Sequence, residues 1–160
     1  LYSEPEASHV THGHHLFRTA ALAMGCTVEE WNCNMKPGDY PDAKLKQFAK
    51  EFAKGKHLCT GIYVSSSVSA IILMEEFAKL GIHVPEDVSI ISLGDNSAAE
   101  QHGLTVLSHI SRETAAETMK IAATLLHSRS NRGKFLQKEC TPILIERNSV
   151  KIITNKEKQL

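Results

Sequence analysis

The chain has 160 residues, of which 42% are hydrophobic, and this length and composition suit one globular domain with a sizeable core. Eighteen basic and eighteen acidic residues cancel, so the chain has no net positive field to hold it on nucleic-acid phosphates. Four scattered cysteines without a C-x-x-C pair argue against a disulfide framework and favour the cytoplasm. No apolar run approaches the roughly 20 residues of a membrane span, and no signal-peptide pattern is visible.

The first part of the chain predicts two helices with a strand between them. Apolar residues recur at helical spacing from Val10 to Met24, and Gly25 follows as a stop. Cys26 to Trp31 alternates polar and apolar residues, which indicates a strand, and Met35 to Asp39 has the composition of a turn. Asp42 to Lys54 has apolar side chains on one face and lysines on the other, so it predicts an amphipathic helix covering one side of a sheet.

The middle of the chain predicts a strand, a helix and a second strand. Cys59 to Val64 is a short apolar run with β-branched residues, which is typical of a strand buried on both faces. Ser65 to Ser67 can cap a helix that extends to about Leu80, and Val88 to Leu93 is another buried strand. The helix has an apolar stripe that is mainly core but wide enough to face partly outward, which predicts a subunit interface: Val68, Ile71, Ile72, Met74 and Phe77.

The last part of the chain continues the alternation of strands and helices. Leu104 to Ser108 predicts a strand, and Ser111 can cap a helix through roughly Leu126. Residues 142–147 and 150–153 are β-like. The fold class predicted is therefore α/β, a parallel sheet flanked by helices on both faces and joined by right-handed crossovers.

Small polar residues follow the predicted strands, and they are the candidate ligand contacts. Ligands of open α/β sheets bind beyond the carboxyl ends of the strands, which selects Ser66, Asp95 and His109. These three could be imagined as a nucleophilic set, but hydrogen bonding to a small ligand is the favoured interpretation, because the nucleophile-elbow, P-loop and dinucleotide motifs are all absent. Trp31 and Tyr63 can stack on a ligand ring or pack internally, and the sequence leaves both interpretations open.

A histidine cluster precedes and enters the first predicted helix, at His9, His12, His14 and His15. His12 and His15, three residues apart, could face one metal ion. No carboxylate or cysteine nearby in sequence completes a set of four ligands, so we predict neither a metal site nor a cofactor.

The segments Thr60 to Ala70 and Glu76 to Ser92 resemble the effector-binding domain of the LacI/GalR family of transcriptional regulators. The specific part is a helix ending in L-G-I-H-V-P-E-D-V-S, followed by an apolar strand and an acidic tip. Further matches are the F-x-x-A-A-x-x-x-G helix of Phe17 to Gly25, the segment Leu104 to His109, and the closing strand Ile143 to Arg147.

This resemblance implies a periplasmic-binding-protein-like I fold of two subdomains around a ligand cleft, a homodimer, and a separate N-terminal DNA-binding module. Residues 1–154 would be the later part of that domain, mainly its second subdomain, and residues 155–160 a disordered tail. Leu1 to Pro5 looks like a strand entered midway, so we expect more chain upstream. The implied function is effector sensing, in which a small molecule shifts operator affinity. A periplasmic solute-binding protein is the nearest alternative and an enzyme a more distant one.

The chain departs from the family at three of its ligand positions. Gly13 stands where an Arg is common, Ser66-Ser67 where the family has Asn-Asp, and Gly94-Asp95 where it has paired acids. The Arg and carboxylate groups that usually form hydrogen bonds with sugar hydroxyls in this family are therefore mostly missing. We predict that the effector is a small molecule, a sugar or related metabolite but not an ordinary sugar, with Gly13 marking the missing group.

Overall fold

The computed structural model describes residues 8–31, 42–108, 112–127 and 141–152. These ranges contain helices and strands in the predicted alternation, with most boundaries within three residues of those predicted. The helices are α1 (Ser8–Ala23), α2 (Asp42–Ala53), α3 (Ser67–Lys79), α4 (Ser97–Gln101) and α5 (Arg112–His127), and the strands are β1 (Gly61–Val64), β2 (Ser89–Leu93), β3 (Thr105–Ser108) and β4 (Ile143–Ile145).

The strands form one sheet in the order β1-β2-β3-β4. β1 pairs with β2 and β2 with β3 in parallel, with Val64 opposite Ser92 and Leu93 opposite Leu107. β4 is antiparallel to β3, where Val106 faces Ile145, so the predicted parallel sheet carries one antiparallel strand at this edge. An apolar run does not encode strand direction, and antiparallel strands at the edge of a parallel sheet are common.

Two predicted strands are not observed. Residues 26–31 form no backbone ladder, and side chains hold them instead: the Trp31 ring packs on Phe48, and Glu29 contacts His57. Residues 150–152 are also not a strand, because the Lys151 amide donates to the Ser89 hydroxyl rather than to a ladder carbonyl. Residue 153 lies outside the described ranges. The alternation of polar and apolar residues indicates which side is buried, but it does not guarantee a strand partner.

Helices cover both faces of the sheet, as predicted. Ile62 and Val64 are buried and belong to the same core as α2 and α3. Tyr63 lies between them in β1 and therefore points to the opposite face, where the Phe17 ring of α1 stacks on it with centroids 4.6 Å apart. Phe77 of α3 is fully buried at the centre, and burying such a ring contributes roughly 1.5–3 kcal/mol to stability.

The turns after α1 and α3 confirm the predicted helix stops. Gly81 has φ of +75°, and the Ile82 amide returns to the Phe77 carbonyl at 3.0 Å, which closes the last turn of α3. Gly25 has φ of +81° and ends α1 in the same way. At the other end of α3, Ser66 occupies the N-cap position with extended backbone, but its side chain makes no capping hydrogen bond.

The apolar stripe of α3 is mostly core. Ile71 and Phe77 are buried, Ile72 and Met74 pack partly against the core, and Val68 is 58% exposed. Within the described ranges, no helix combines the length and apolar character needed to cross a membrane.

Candidate ligand-binding site

The sheet brings two of the predicted contacts to one edge. Because Val64 and Ser92 are in register, the segments after β1 and β2 emerge side by side, with Ser66 on the first and Asp95 on the second. Ser66 is half-buried, and the side chain of Asp95 is partly buried. His109 would follow β3 at the same edge, but it lies outside the described residues.

A hydrogen-bond network fixes this carboxyl edge. The Ser92 hydroxyl donates to the Val64 carbonyl at 2.9 Å and links the two strands. Asn96 Nδ2 donates to the buried Ser67 hydroxyl at 2.8 Å, while its Oδ1 accepts from the Ala99 amide at 2.9 Å. The edge is thus a polar rim whose side chains are already oriented, as a ligand site requires.

The sequence did not predict helix α4 or the capping role of Asn96. Asn before a run of helix-forming residues is a known start pattern, and this could have revealed α4. The helix is only five residues long, too short for apolar periodicity to show.

Asp95 has a strong partner inside the protein. Its Oδ1 lies 2.9 Å from Arg147 Nη2, and the two side chains are 29% and 16% exposed. Arg147 Nη1 also donates to the Leu104 carbonyl at 2.8 Å, and the Arg147 amide donates to the Thr105 hydroxyl at 2.9 Å. A ligand that binds Asp95 must therefore share this carboxylate with Arg147. The sequence predicted Arg147 only as part of a closing strand, because the pairing joins distant segments.

Trp31 and Tyr63 do not lie at the carboxyl edge. The Trp31 ring packs on Phe48 with centroids 4.9 Å apart, and it sits against the core. Tyr63 stacks on Phe17, and burial raises the pKa of its hydroxyl. Internal packing is thus the observed environment of both rings.

Gly13 and His14 lie in α1, about one turn before Phe17. The His14 side chain is buried against the edge of Tyr63, with ring centroids 6.2 Å apart and nearly perpendicular planes. Its Nε2 has no hydrogen-bond partner among the described residues, and desolvation is the main cause that lowers the pKa of His14. No cluster of three metal-ligating side chains occurs in residues 8–31, 42–108, 112–127 or 141–152.

Comparison with known proteins identifies the domain. Residues 3–150 match the family described as periplasmic binding protein-like domain. The chain belongs to this family. No curated protein matches the chain. The resemblance noted in the sequence is thus confirmed at the level of the domain family.

Solved structures share the fold of this periplasmic binding protein-like domain. A LacI family transcriptional regulator from Bifidobacterium animalis subsp. lactis is 24% identical with a TM-score of 0.72, over 93% of this chain and 53% of that one. Transcription regulator CcpA of Lactococcus lactis is 22% identical with a TM-score of 0.68, over 94% and 54%. A periplasmic binding protein/LacI transcriptional regulator from Alkaliphilus metalliredigens, complexed with D-xylulofuranose, is 19% identical with a TM-score of 0.64, over 89% and 52%. The chain spans about half the length of these structures.

Proposed function

We propose that residues 1–154 form the C-terminal part of the effector-sensing and dimerisation domain of a LacI/GalR-type transcriptional regulator. The observation that carries this proposal is the family match over residues 3–150, which includes the L-G-I-H-V-P-E-D-V-S turn between α3 and β2. The domain acts by binding rather than by turnover, in the cytoplasm, and reaches operator DNA through a module outside this chain. Effector binding shifts the population between two subdomain arrangements.

The effector contacts in this proposal are Ser66 and Asp95 at the carboxyl edge, with His109 completing the set. Support comes from the register of β1 and β2, which brings Ser66 and Asp95 to the same edge. In this proposal Trp31 and Tyr63 contribute through internal packing, and Gly13 stands where an Arg is common in the family.

The effector class proposed is a neutral polyhydroxyl metabolite such as a sugar. The similar regulator from Alkaliphilus metalliredigens holds a sugar, D-xylulofuranose. In this chain the Arg147 guanidinium is already neutralised by Asp95, so it offers less to an acidic ligand than to hydroxyl groups that bridge the pair.

Calorimetric titration of the full-length protein with D-xylulose and a panel of monosaccharides tests this site. We expect one sugar to bind. The variants Asp95→Asn and Ser66→Ala should each weaken the binding of that sugar by about tenfold, because each removes one good hydrogen bond to the ligand. His83→Ala, an exposed change beyond the other end of α3, is the control and should leave the affinity unchanged. Unchanged affinity in both site variants would show that the effector binds elsewhere.

A further inference from the structure

Three lysines follow one another along the outer side of α2, and we call them the lysine face: Lys46, Lys50 and Lys54. The first two lie within the helix, and Lys54 directly follows it, where its amide still donates to the Glu51 carbonyl at 3.2 Å. All three side chains are exposed, whereas Phe48 on the opposite side of the helix is buried in the core. Helical residues four apart lie on the same side, about 6 Å apart along the axis. The lysine face is therefore a regular row of positive charge.

The chain does not balance the charge of the lysine face. Like charges four residues apart on a helix repel one another, so this row destabilises α2 in the free chain. Other exposed lysines have an acidic partner one turn away: Lys79 Nζ lies 2.7 Å from Glu76 Oε1, and Lys120 Nζ lies 2.8 Å from Glu117 Oε1. Among the described residues, no carboxylate lies within ion-pair distance of the lysine face. An anionic partner would relieve this repulsion as well as add an attraction.

Two acidic side chains lie close to the lysine face. A shallow groove of about 450 Å³ is lined by the lysine face together with Ala43, Gln47, Glu51 and Lys56. Gln47 Nε2 donates to Glu51 Oε1 at 3.2 Å, and Lys56 Nζ lies 3.8 Å from the same oxygen, so the Glu51 carboxylate is held in the groove. On α3, the pKa of Glu76 is lowered mainly by the hydrogen bond from Lys79 and further by the charges of Lys46 and Lys50. The surface is thus positive overall but mixed in sign.

This mixture of charges suits a protein partner better than a nucleic acid. The carboxylates of Glu51 and Glu76 repel phosphates, whereas a protein can place acidic side chains on the lysines and an amide or basic side chain near the acids. Contacts from only three lysines would also give a nucleic acid little affinity at physiological salt. The partner that fits is therefore a protein segment with regularly spaced acidic side chains.

We propose that the lysine face docks an acidic helix of a partner protein. A helix with Glu or Asp at every fourth position has the same repeat of about 6 Å, so each carboxylate meets one ammonium group when the two helices lie side by side. The ion pairs are exposed, so docking is weak at high salt and selective for the arrangement of the charges. The docking surface contains neither Ser66 nor Asp95 and stands apart from the proposed effector contacts.

Fluorescence anisotropy of labelled peptides mixed with the 160-residue chain tests this docking. The probe is an alanine-based helical peptide with glutamate at every fourth position, and the comparison peptide has the same composition with its glutamates scattered around the helix. At low salt we expect the probe to bind about tenfold more tightly than the comparison peptide, because only the probe aligns several ion pairs at once. A DNA duplex should bind more weakly than the probe.

Two pairs of charge reversals locate the surface. Lys50→Glu combined with Lys54→Glu should weaken probe binding by at least about tenfold, because each change replaces an attraction with a repulsion. Lys120→Glu combined with Lys151→Glu alters the net charge equally at exposed positions elsewhere, and it should weaken the probe by no more than about twofold. Equal losses in the two double variants, equal binding of the two peptides, tighter binding of the DNA duplex or absence of probe binding would each overturn the proposal.

Discussion

His14 lies on the side of α1 that meets β1, and its imidazole is enclosed beside Tyr63. A buried nitrogen without a hydrogen bond destabilises the fold, since it loses its water and gains no partner. The sequence showed a histidine cluster at this helix, yet it could not show which histidine is buried. That depends on how α1 rotates against the sheet, and Phe17 fixes this rotation through its contact with Tyr63.

Replacing His14 with leucine should stabilise the chain and reduce its sensitivity to acid. The folded state holds the pKa of His14 below the unfolded value of 6.5, so the unfolded state binds more protons as the pH falls below that value. The free energy of unfolding is therefore not reduced by His14 above pH 6.5, and it declines as the pH falls below that value. We expect His14→Leu to raise the free energy of unfolding by about 1–3 kcal/mol and to flatten its decline below pH 6.5.

Urea unfolding at several pH values measures both effects. His15→Leu changes the neighbouring exposed histidine and is the control, which should leave the pH dependence in place. A His14→Leu chain that keeps the original pH dependence would mean that another group causes it.

The ion pair of Asp95 and Arg147 should contribute measurably to stability, in contrast with an exposed pair in the same chain. Arg147→Met removes the guanidinium and leaves a partly buried carboxylate, so we expect a loss of about 2–3 kcal/mol. Arg18→Met breaks the exposed contact with Glu30 at 3.2 Å and should cost no more than about 0.5 kcal/mol. Similar losses in both variants would show that Asp95 and Arg147 do not interact strongly in solution.

At the scale of elements, apolar periodicity predicted those helices and strands that bury a side against the core. α2, α3 and β1 to β3 follow their predicted bounds closely, because Phe48, Phe77 and Ile90 must face the same interior. The direction of β4, the unpaired residues 26–31 and the short α4 were not predictable in this way. They depend on hydrogen bonds between distant segments, such as the bond of Asn96 to Ser67.

The turn after α3, which begins the L-G-I-H-V-P-E-D-V-S segment, offers a test of what glycine contributes to stability there. Gly81 has φ of +75°, which costs a residue with a Cβ atom about 1 kcal/mol, so Gly81→Ala should lower the free energy of unfolding by about that amount. Gly61→Ala is the control, since a Cβ there would meet only the Ser89 carbonyl oxygen at an ordinary 4.0 Å. Thermal unfolding of the two variants measures the difference in stability. Equal melting temperatures would contradict the requirement for glycine at position 81.

At the scale of the whole molecule, the chain spans about half of the regulators that share its fold. The sequence predicted the domain family from one turn and its flanking strands, and it predicted the site by the rule that parallel strands present ligand groups at their carboxyl ends. It could not predict that Asp95 is held by Arg147, or that the aromatic rings of Trp31 and Tyr63 pack inside. Side-chain partners that are far apart in sequence are determined only by the folded arrangement.

The most direct measurement is the affinity of the full-length protein for its operator DNA, by fluorescence anisotropy, with and without the monosaccharide that binds it. We expect the sugar to change this affinity by about tenfold, within the usual range of allosteric coupling. Asp95→Asn should raise the sugar concentration needed for this change by about tenfold and leave the DNA affinity without sugar intact. A full-length protein that shows no sequence-specific DNA binding, or whose DNA affinity is the same with the sugar bound, would contradict the assignment as a regulator's sensing domain.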